Sequence, residues 1–592
     1  MTYKAPVDDI LLALKSVADL DDLAGRGILG GLDEETLRAV VEEAGRFGAE
    51  VLDPLNAVGD RTGSRLVNGK VETPPGWKEA YDAFAAGGWS ALPCPEEYGG
   101  QDLPEIAATM ACEIWNSANL SFGLCPLLTQ GAINAVHAHG SEELKRTFLP
   151  KMISGQWTGT MNLTEPHAGT DLGALTTKAE RQGDGTYRIT GTKIFITYGD
   201  HELAENIVHL VLARLTDAPS GTRGISLFLV PKRLVNADGS LGERNDVTCV
   251  SLEHKLGIHA SPTCVMKYGE QGGAIGYLIG EENRGLATMF IMMNAARLAV
   301  GVQGVAIAER ATQHAAAYAA ERRQGRAPGA GEGMAPIVHH ADIRRSLMTM
   351  RSMTQAARAI CLATAKEIDI SQRAEMPDER RAAAERAALL TPVAKAFSTD
   401  IGCEVASLGV QIHGGMGFIE ETGAAHYYRD ARILPIYEGT NGVQAIDLVT
   451  RKLPLGDGQV AELYIGELAA SVEELRASNR PEFGRMAERL TDALAALAES
   501  SRWLGKAMLT NPEGALAGAT PYLRLFGLAA GGVYLARGAL DAVRNGAGSD
   551  AMPVMLARFF AENLVTAAPG LGQTVMEGSE SLLGVAPDRL VS

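Results

Sequence analysis

The chain is 592 residues long, 46% hydrophobic and 21% charged, with a formal net charge of −17. That length predicts several packed units rather than one core, and the acidic balance excludes broad, non-specific nucleic-acid binding while leaving room for an anionic ligand held by a few local cations. The seven cysteines are scattered, odd in number and never spaced CxxC, which speaks against a disulfide framework or a zinc site and for reduced thiols in a cytoplasm.

The opening MTYKAPVDDILLALKSV has no basic start followed by a long apolar stretch, so no secretory signal is expected. No uninterrupted apolar span of about 20 residues is visible either, so no transmembrane helix is expected. To about Trp157, apolar residues recur at three- and four-residue intervals, as in DEETLRAVVEEAGRFGAEVLDPL, and predict an N-terminal helical domain over 1–157. Within it, Gly25-Arg26-Gly27-Ile28-Leu29-Gly30 has the form GxGxxG. A helix and an acidic turn precede it where a dinucleotide fold needs a strand, so a plain glycine turn is expected.

The texture changes at Thr158. TYRITGTKIFIT, NIVHLVLARL, GISLFLVP and DVTCVSL are β-favouring runs, separated by turns such as RQGDG and RLTDAPSG, and they predict a compact middle β domain over 158–285. Helical texture returns with LATMFIMMNAARLAVGVQGVAIAERATQHAAAYAAERR, breaks at a surface loop APGAGEGMAP, and resumes around His339–Ile370 and Asp378–Gln411. Long helices rich in Gly and Ala, in series, predict a bundle over 286–454. An LGDGQ linker then opens a further helical domain over 455–592, with more acidic than basic residues. There is no Walker A sequence and no HExxH, and the pairs His137/His139 and His339/His340 read as packing residues, so no metal site is expected.

Five separated segments carry chemistry. Pro95-Glu96-Glu97-Tyr98-Gly99-Gly100 is a loop in the helical region. Met161-Asn162-Leu163-Thr164-Glu165-Pro166-His167-Ala168-Gly169-Thr170-Asp171 opens the β unit, where small residues and hydroxyls let the backbone approach a flat ring. In Lys193-Ile194-Phe195-Ile196-Thr197, strand alternation places Phe195 and Thr197 on one face. The fourth is split between Glu321-Arg322-Arg323-Gln324-Gly325 and Gln411-Ile412-His413-Gly414-Gly415-Met416-Gly417-Phe418. The fifth is Tyr437-Glu438-Gly439-Thr440-Asn441-Gly442, in which Glu438 also reads as an acid for the first turn of a helix.

Together these segments resemble the acyl-CoA dehydrogenase family, over roughly Asp33 to Leu453. Lys255-Leu256-Gly257-Ile258-His259-Ala260-Ser261 and Ile279-Gly280-Glu281-Glu282-Asn283-Arg284-Gly285 resemble further landmarks, marking the last strands and the return to helix. The resemblance implies an α+β architecture: an N-terminal helical domain, a middle β-barrel-like domain and a C-terminal four-helix bundle, here with an added C-terminal helical domain. It implies FAD as cofactor, an acyl-CoA substrate, an electron-transfer flavoprotein as electron acceptor, and a homodimer or dimer of dimers.

The resemblance also implies roles for residues. Glu438 is the catalytic base that removes the α-proton, the β-hydrogen leaves as hydride to flavin N5, and the product is the trans-2-enoyl-CoA. The thioester carbonyl is held by the backbone N–H of Glu438 and a ribityl hydroxyl of FAD. Met161, Leu163, Thr164, Phe195 and Thr197 face the flavin, with Gly169 and Thr170 near its phosphates or the pantetheine arm. Arg322, Gln324, Gln411, Gly414 and Gly415 reach the FAD of the neighbouring subunit, Arg322 by bidentate bonds to pyrophosphate. Thr440 and Gly442 also contact the cofactor, and Thr170, Asn294, Arg297 and Gly439 the substrate. Some relatives carry the base one residue before the arginine of Arg297; here that residue is Ala296, which leaves Glu438. The chain departs from the family pattern at Thr170 (serine in relatives), Phe195 (tryptophan) and Gly325 (in place of ERxxFG), the last unsettling the adenine contacts.

The C-terminal extension and the opening YKAPVDDI resemble a long subgroup that includes 3-methylmercaptopropionyl-CoA dehydrogenases of dimethylsulfoniopropionate degradation and broad fatty acyl-CoA enzymes. The alternatives are a medium- or long-chain fatty acyl-CoA dehydrogenase, or an acyl-CoA oxidase on the same fold. A monooxygenase relative would lack Glu438. A DNA-protection role would need a basic face where the C-terminal region is acidic.

Overall fold

The computed structural model describes residues 2–328 and 331–592; of the expected APGAGEGMAP loop, Gly329 and Ala330 lie outside the described residues. The first part is built of helices α1 (Val7–Val17), α2 (Leu20–Gly25), α3 (Glu34–Phe47), α4 (Asp53–Thr62), α5 (Trp77–Ala86), α6 (Glu105–Ala118), α7 (Leu120–His139) and α8 (Glu142–Ile153). The GxGxxG look-alike is a turn after α2, with Gly27 and Gly30 left-handed and Ile28 and Leu29 fully buried. A hairpin of β1 (Arg65–Val67) and β2 (Lys70–Glu72) interrupts the helices, which the helical pattern did not foretell. Its two-residue turn is Asn68-Gly69, both at positive φ, as such hairpins require.

The strands that follow are β3 (Trp157–Asn162), β4 (Lys178–Arg181), β5 (Tyr187–Thr197), β6 (Asn206–Leu215), β7 (Ile225–Pro231), β8 (Arg233–Val235), β9 (Leu241–Arg244), β10 (Val247–Leu252), β11 (Thr263–Tyr268) and β12 (Ala274–Ile279). β5 pairs with β12, β12 with β7, β7 with β6, β6 with β4, and β4 back with β5, so five strands close a ring. β3 joins β6 in parallel, while β11 and then β10 continue from the second half of β5. β6 and β7 are buried along almost their whole length. A strand covered on both faces reads as a continuous apolar run, and that is the pattern of NIVHLVLARL and ISLFLVP.

Three long helices form the centre: α9 (Gly285–Glu321), α10 (Ala341–Arg373) and α11 (Pro377–His413), followed by α12 (Ala424–Ala431) and α13 (Asn441–Asp447). α9 and α11 run parallel and close together because glycines face backbone between them. A Cβ on Gly301 would lie 2.6 Å from the Ala394 carbonyl, and one on Gly304 would lie 2.4 Å from that of Ser398. By length and composition alone α9 is apolar enough to cross a membrane, with a mean hydropathy of 1.5 over its best window, although Asn294 and Arg297 interrupt its apolar run. Of that window 67% is buried inside the protein, where α9 packs on α6, α7, α10 and α11.

The last region contains α14 (Gln459–Ala477), α15 (Met486–Thr510), α16 (Pro512–Ala517), α17 (Ala519–Arg544), α18 (Met552–Asn563) and α19 (Ala568–Glu577). The LGDGQ segment before it turns through three successive left-handed residues, Gly456, Asp457 and Gly458. α17 lies on α10 and α11, and α1 from the opposite end of the chain packs on both α10 and α17. The contact of α17 is tight: a Cβ on Gly527 would meet the Phe397 ring at 2.2 Å, and one on Gly531 would meet Ala356 Cβ at 2.8 Å. Gly527→Ala is therefore expected to lower stability by about 1–3 kcal/mol through overpacking. Helix propensity alone predicts a gain of about 1 kcal/mol, so the direction in which the urea midpoint moves decides between docking and propensity.

Candidate active site

The end of β3 and the end of β5 lie side by side. Thr160 Oγ1 donates to the Thr197 carbonyl at 2.7 Å, and Ile194 N–H donates to the Thr164 carbonyl at 2.9 Å. Two of the segments singled out from sequence are thereby joined, with Met161, Leu163 and Thr164 along one edge and Phe195 and Thr197 along the other. The turn between them is fixed by a buried ion pair. Lys193 Nζ sits 2.9 Å from Glu165 Oε1 and also donates to the Leu163 carbonyl, while Thr176 and Thr177 give Glu165 their N–H and hydroxyl groups. Burial works to raise the Glu165 carboxyl, but Lys193 and the threonines hold it at about 2.

The expected alternation at Phe195 does not hold. Lys193 pairs with Met266 and Ile196 with Cys264, so three steps on β5 oppose two on β11, and Phe195 takes a φ of +61° at this bulge. The bulge turns an aromatic ring outward, 58% exposed, beside the half-buried Met161 and Leu163. A flat aromatic group fits against such a wall. Gly169, Gly414 and Gly415 likewise leave open space where a Cβ would stand, as close approach to a phosphate or ring requires.

Glu438 stands at a corner of the chain rather than in the first turn of a helix, because α13 begins only after its N-cap Thr440, whose hydroxyl accepts the Val443 N–H. Glu438 has φ +57° and Gly439 φ +84°. A left-handed glutamate costs about 1–3 kcal/mol and persists only where its surroundings over-determine it. Three groups do so here. Gln444 Nε2 donates to the Glu438 carbonyl at 3.2 Å, Asn441 N–H donates to the Pro435 carbonyl at 2.9 Å, and Lys395 Nζ donates to the Gly439 carbonyl at 2.9 Å. Burial pushes the Glu438 carboxyl up to about 7, against the positive charges of Lys395 and Arg297.

Arg297 is buried on α9, one residue past Ala296. Its Nη1 lies 3.2 Å from Asp447 Oδ2 and 3.3 Å from Asn294 Oδ1. Tyr437 packs on the same apolar cluster, including Met292, Ala296 and Val300, that Met161 and Leu163 touch. Its hydroxyl donates to Gln303, whose Nε2 donates to Asn116 at 3.0 Å. Beside these residues a cavity of about 90 Å³ opens between α5–α7 and α9, lined by Trp89, Glu105, Cys112, Trp115, Gln130 and Ala299 among others. Burial and the neighbouring Asp369 raise the Glu105 carboxyl to about 8. It is therefore mostly protonated at neutral pH and can donate a hydrogen bond.

The remaining expected residues lie elsewhere. Arg322 caps the C-terminal end of α9, Gln324 follows it, and Gln411, Gly414 and Gly415 close α11 beside it, where His413 stacks on Tyr318. Eighteen residues of α11 separate Lys395 from His413, roughly 27 Å at 1.5 Å per residue. The two groups thus lie about half the length of α11 apart within one chain. Gly169 and Thr170 are exposed beyond the Glu165 turn, and Gly442 is exposed on α13.

Sequence reasoning missed Lys395, Gln444 and the Glu165–Lys193 pair. Lys395 carried a readable signal, a lone lysine at an apolar position within LTPVAKAF. A cluster of Asp60, His426 and Asp430 brings its donor atoms within 4.8 Å of one another. The Arg429 guanidinium spans both Asp60 oxygens and Ile258 N–H occupies Asp430 at 2.6 Å, so the cluster serves as an ionic joint between α4, α12 and the Lys255–Ser261 loop.

Comparison with known proteins matches residues 34–156, 160–269 and 283–453 to the N-terminal, middle and C-terminal domains of acyl-CoA dehydrogenase, and residues 464–586 to an acetyl-CoA dehydrogenase C-terminal-like domain. The 3-methylmercaptopropionyl-CoA dehydrogenase of Ruegeria pomeroyi is 48% identical over 590 residues, covering 98% of this chain and 99% of that one. A butyryl-CoA dehydrogenase of Syntrophomonas wolfei is 35% identical over 512 residues, covering 84% and 83%. Among solved structures, Caenorhabditis elegans ACDH-11 in complex with C11-CoA superposes with a TM-score of 0.78 at 20% identity, covering 98% of this chain and 95% of that one. An acyl-CoA dehydrogenase from Bacillus anthracis complexed with FAD reaches 0.75 at 20% identity, covering 98% and 92%. At such identities the two structures speak to the fold.

Proposed function

The chain belongs to the acyl-CoA dehydrogenase family, and on that premise we propose that it oxidises a short acyl-CoA thioester to the trans-2-enoyl-CoA with Glu438 as the base. The observation that carries this reading is Glu438 itself, a carboxylate held at a strained corner with its proton affinity raised to about 7. A base of that strength suits removal of a weakly acidic α-proton near neutral pH. The α C–H electron pair forms the new double bond as the β-hydrogen departs with its own pair. Bound FAD supplies the two-electron acceptor for that hydride. Met161, Leu163, Thr164, Phe195 and Thr197 would form the wall that holds its ring, and Arg297 and Gly439 would hold the thioester.

Arg322, Gln324, Gln411, Gly414 and Gly415 serve the FAD of a second copy. Their distance from Glu438 within one chain supports this, and so does the apolar surface beside them, where Phe418 is 87% exposed. A homodimer is the smallest assembly that completes two such sites. An electron-transfer flavoprotein is the proposed acceptor, on the family resemblance.

For the acyl group we propose 3-methylmercaptopropionyl. The Ruegeria pomeroyi relative supports it over almost the full chain. The Syntrophomonas wolfei relative supports butyryl as the second choice. The test is anaerobic mixing of the purified, FAD-loaded protein with a panel of short-, medium- and long-chain acyl-CoAs plus the methylthio compound. Bleaching of the flavin is expected to be fastest with 3-methylmercaptopropionyl-CoA and slow with the longest chains. No bleaching with any thioester would overturn the reading, and equal rates across all lengths would overturn the choice of acyl group.

A further inference from the structure

We propose that Lys395 is a positioning residue for the Glu438 base, locking the left-handed Glu438–Gly439 corner from α11 and placing a positive charge beside its carboxylate. The inference rests on the reading of Glu438 as base.

Lys395 lies in the middle of α11 and is fully buried. An ammonium group is retained in such a place only when its donors are satisfied. Its Nζ donates to the Gly439 carbonyl at 2.9 Å and to Asn441 Oδ1 at 2.8 Å, one residue on either side of Thr440. Asn441 Nδ2 in turn donates to the Ala396 carbonyl at 3.1 Å, Thr399 Oγ1 at 3.0 Å and Asp400 Oδ1 at 2.7 Å. α11 therefore grips the catalytic corner at Gly439 and Asn441 from residues between Lys395 and Asp400. Gly439 is needed there for two reasons: its φ of +84°, and the 2.7 Å that would separate a Cβ from Gln444 Nε2. Without the grip, nothing on α11 offsets the cost of the left-handed glutamate.

The charge matters as well. The groups facing this pocket are Glu438, Asp400 and Cys403 of α11, Arg297 of α9, and Asp447 of α13. Arg297 is engaged with Asp447 at 3.2 Å. Among the described residues, the hydrogen bonds of Lys395 go only to neutral oxygens, so its charge acts on the site without a direct carboxylate partner. Burial lowers Lys395 to about 7, and Glu438 is the largest influence opposing that. The two groups thus stabilise each other's charged forms, and loss of the lysine moves Glu438 further upward.

The test compares Lys395→Met, which loses donor and charge, with Lys395→Gln, which keeps an N–H donor and loses only the charge. In the FAD-loaded wild type, kcat/KM is expected to rise with pH through a midpoint near 7, because only the carboxylate form accepts a proton. Both variants are expected to shift that midpoint upward by about one unit. Lys395→Met is expected to lose about 10²-fold in kcat through a misplaced base, and Lys395→Gln clearly less. In the apo chain, amide exchange over 437–442 is expected to speed up in Lys395→Met. A lysine that merely supports the helix would lower the thermal midpoint while leaving the pH midpoint and the exchange of that loop unchanged, and that result overturns the proposal. If Lys395→Met does not fold, Lys395→Gln decides by its pH midpoint alone. A wild type that reacts with no thioester refutes the base itself, whereas an active wild type with unshifted variants refutes only the role of Lys395.

Discussion

Glu438→Gln is expected to keep its fold and its FAD and to lose substrate-driven flavin reduction by about 10²–10⁴-fold, the range spanned by a general base. The substitution is nearly isosteric and removes only the ability to take a proton. The corner should survive it, because Gln444 and Lys395 grip the backbone carbonyls of Glu438 and Gly439 rather than the carboxylate. Neighbouring groups offer no substitute. The Tyr437 phenol is pushed well above its usual range by burial and by Glu438, and Ala296 carries no acid. Single-turnover absorbance with 3-methylmercaptopropionyl-CoA reads the loss directly. A variant that retains a tenth or more of the wild-type rate (about this much would leave too little for a lost base) would mean that another group takes the proton.

The largest expected loss of stability is far from the chemistry. Arg358 on α10 is fully buried, with Nε 3.0 Å from both oxygens of Glu113, Nη2 2.7 Å from Glu113 Oε1 and 2.8 Å from Glu309 Oε2, and Nη1 on Gln355. Gln355 continues to the Asp9 carbonyl at 2.7 Å. This network binds α6, α9 and α10 to the N-terminal segment. Arg358→Met leaves two carboxylates facing each other without a cation, and is expected to destabilise by about 3–5 kcal/mol. Glu113→Gln and Glu309→Gln in the same chain should restore part of it, since they remove the uncompensated charge. The urea or thermal midpoint of the three proteins checks both statements. A midpoint of Arg358→Met equal to the wild type would show that the pair contributes nothing net.

Much of the architecture is legible in local pattern, and the reasons are specific. The three-to-four spacing of apolar residues marks α3, α9, α10 and α11, and the β-branched runs mark β5, β6, β7 and β10. Shorter strands escape that reading. β4, which helps to complete the closed ring, is four residues long and carries too few periods to be recognised. β1 and β2 are three residues each and hide among helices. At Phe195 the period of two fails because a bulge inserts one residue, and the register with β11 that defines the bulge is a tertiary fact.

The candidate site divides along the same line. Glu438, the Met161–Thr164 edge and Phe195 stand out in the chain because each belongs to a short, compositionally unusual segment whose chemistry is carried by its own residues. Gln444, Asn116 and Gln303 act through partners from 6 to 187 positions away, so no local pattern announces them, whereas Lys395 shows only as a lone lysine in an apolar run. The charge of Lys395 has meaning only once α11 sets it beside the corner that holds Glu438. The separation of Arg322 and Gly414 from Glu438 is likewise a consequence of helix rise over a parallel pair, which residue types do not encode. Side-chain chemistry and hydrophobic period are properties of the chain as written. Proton affinity, backbone strain and the distance between segments arise only when packing removes water and brings remote groups together.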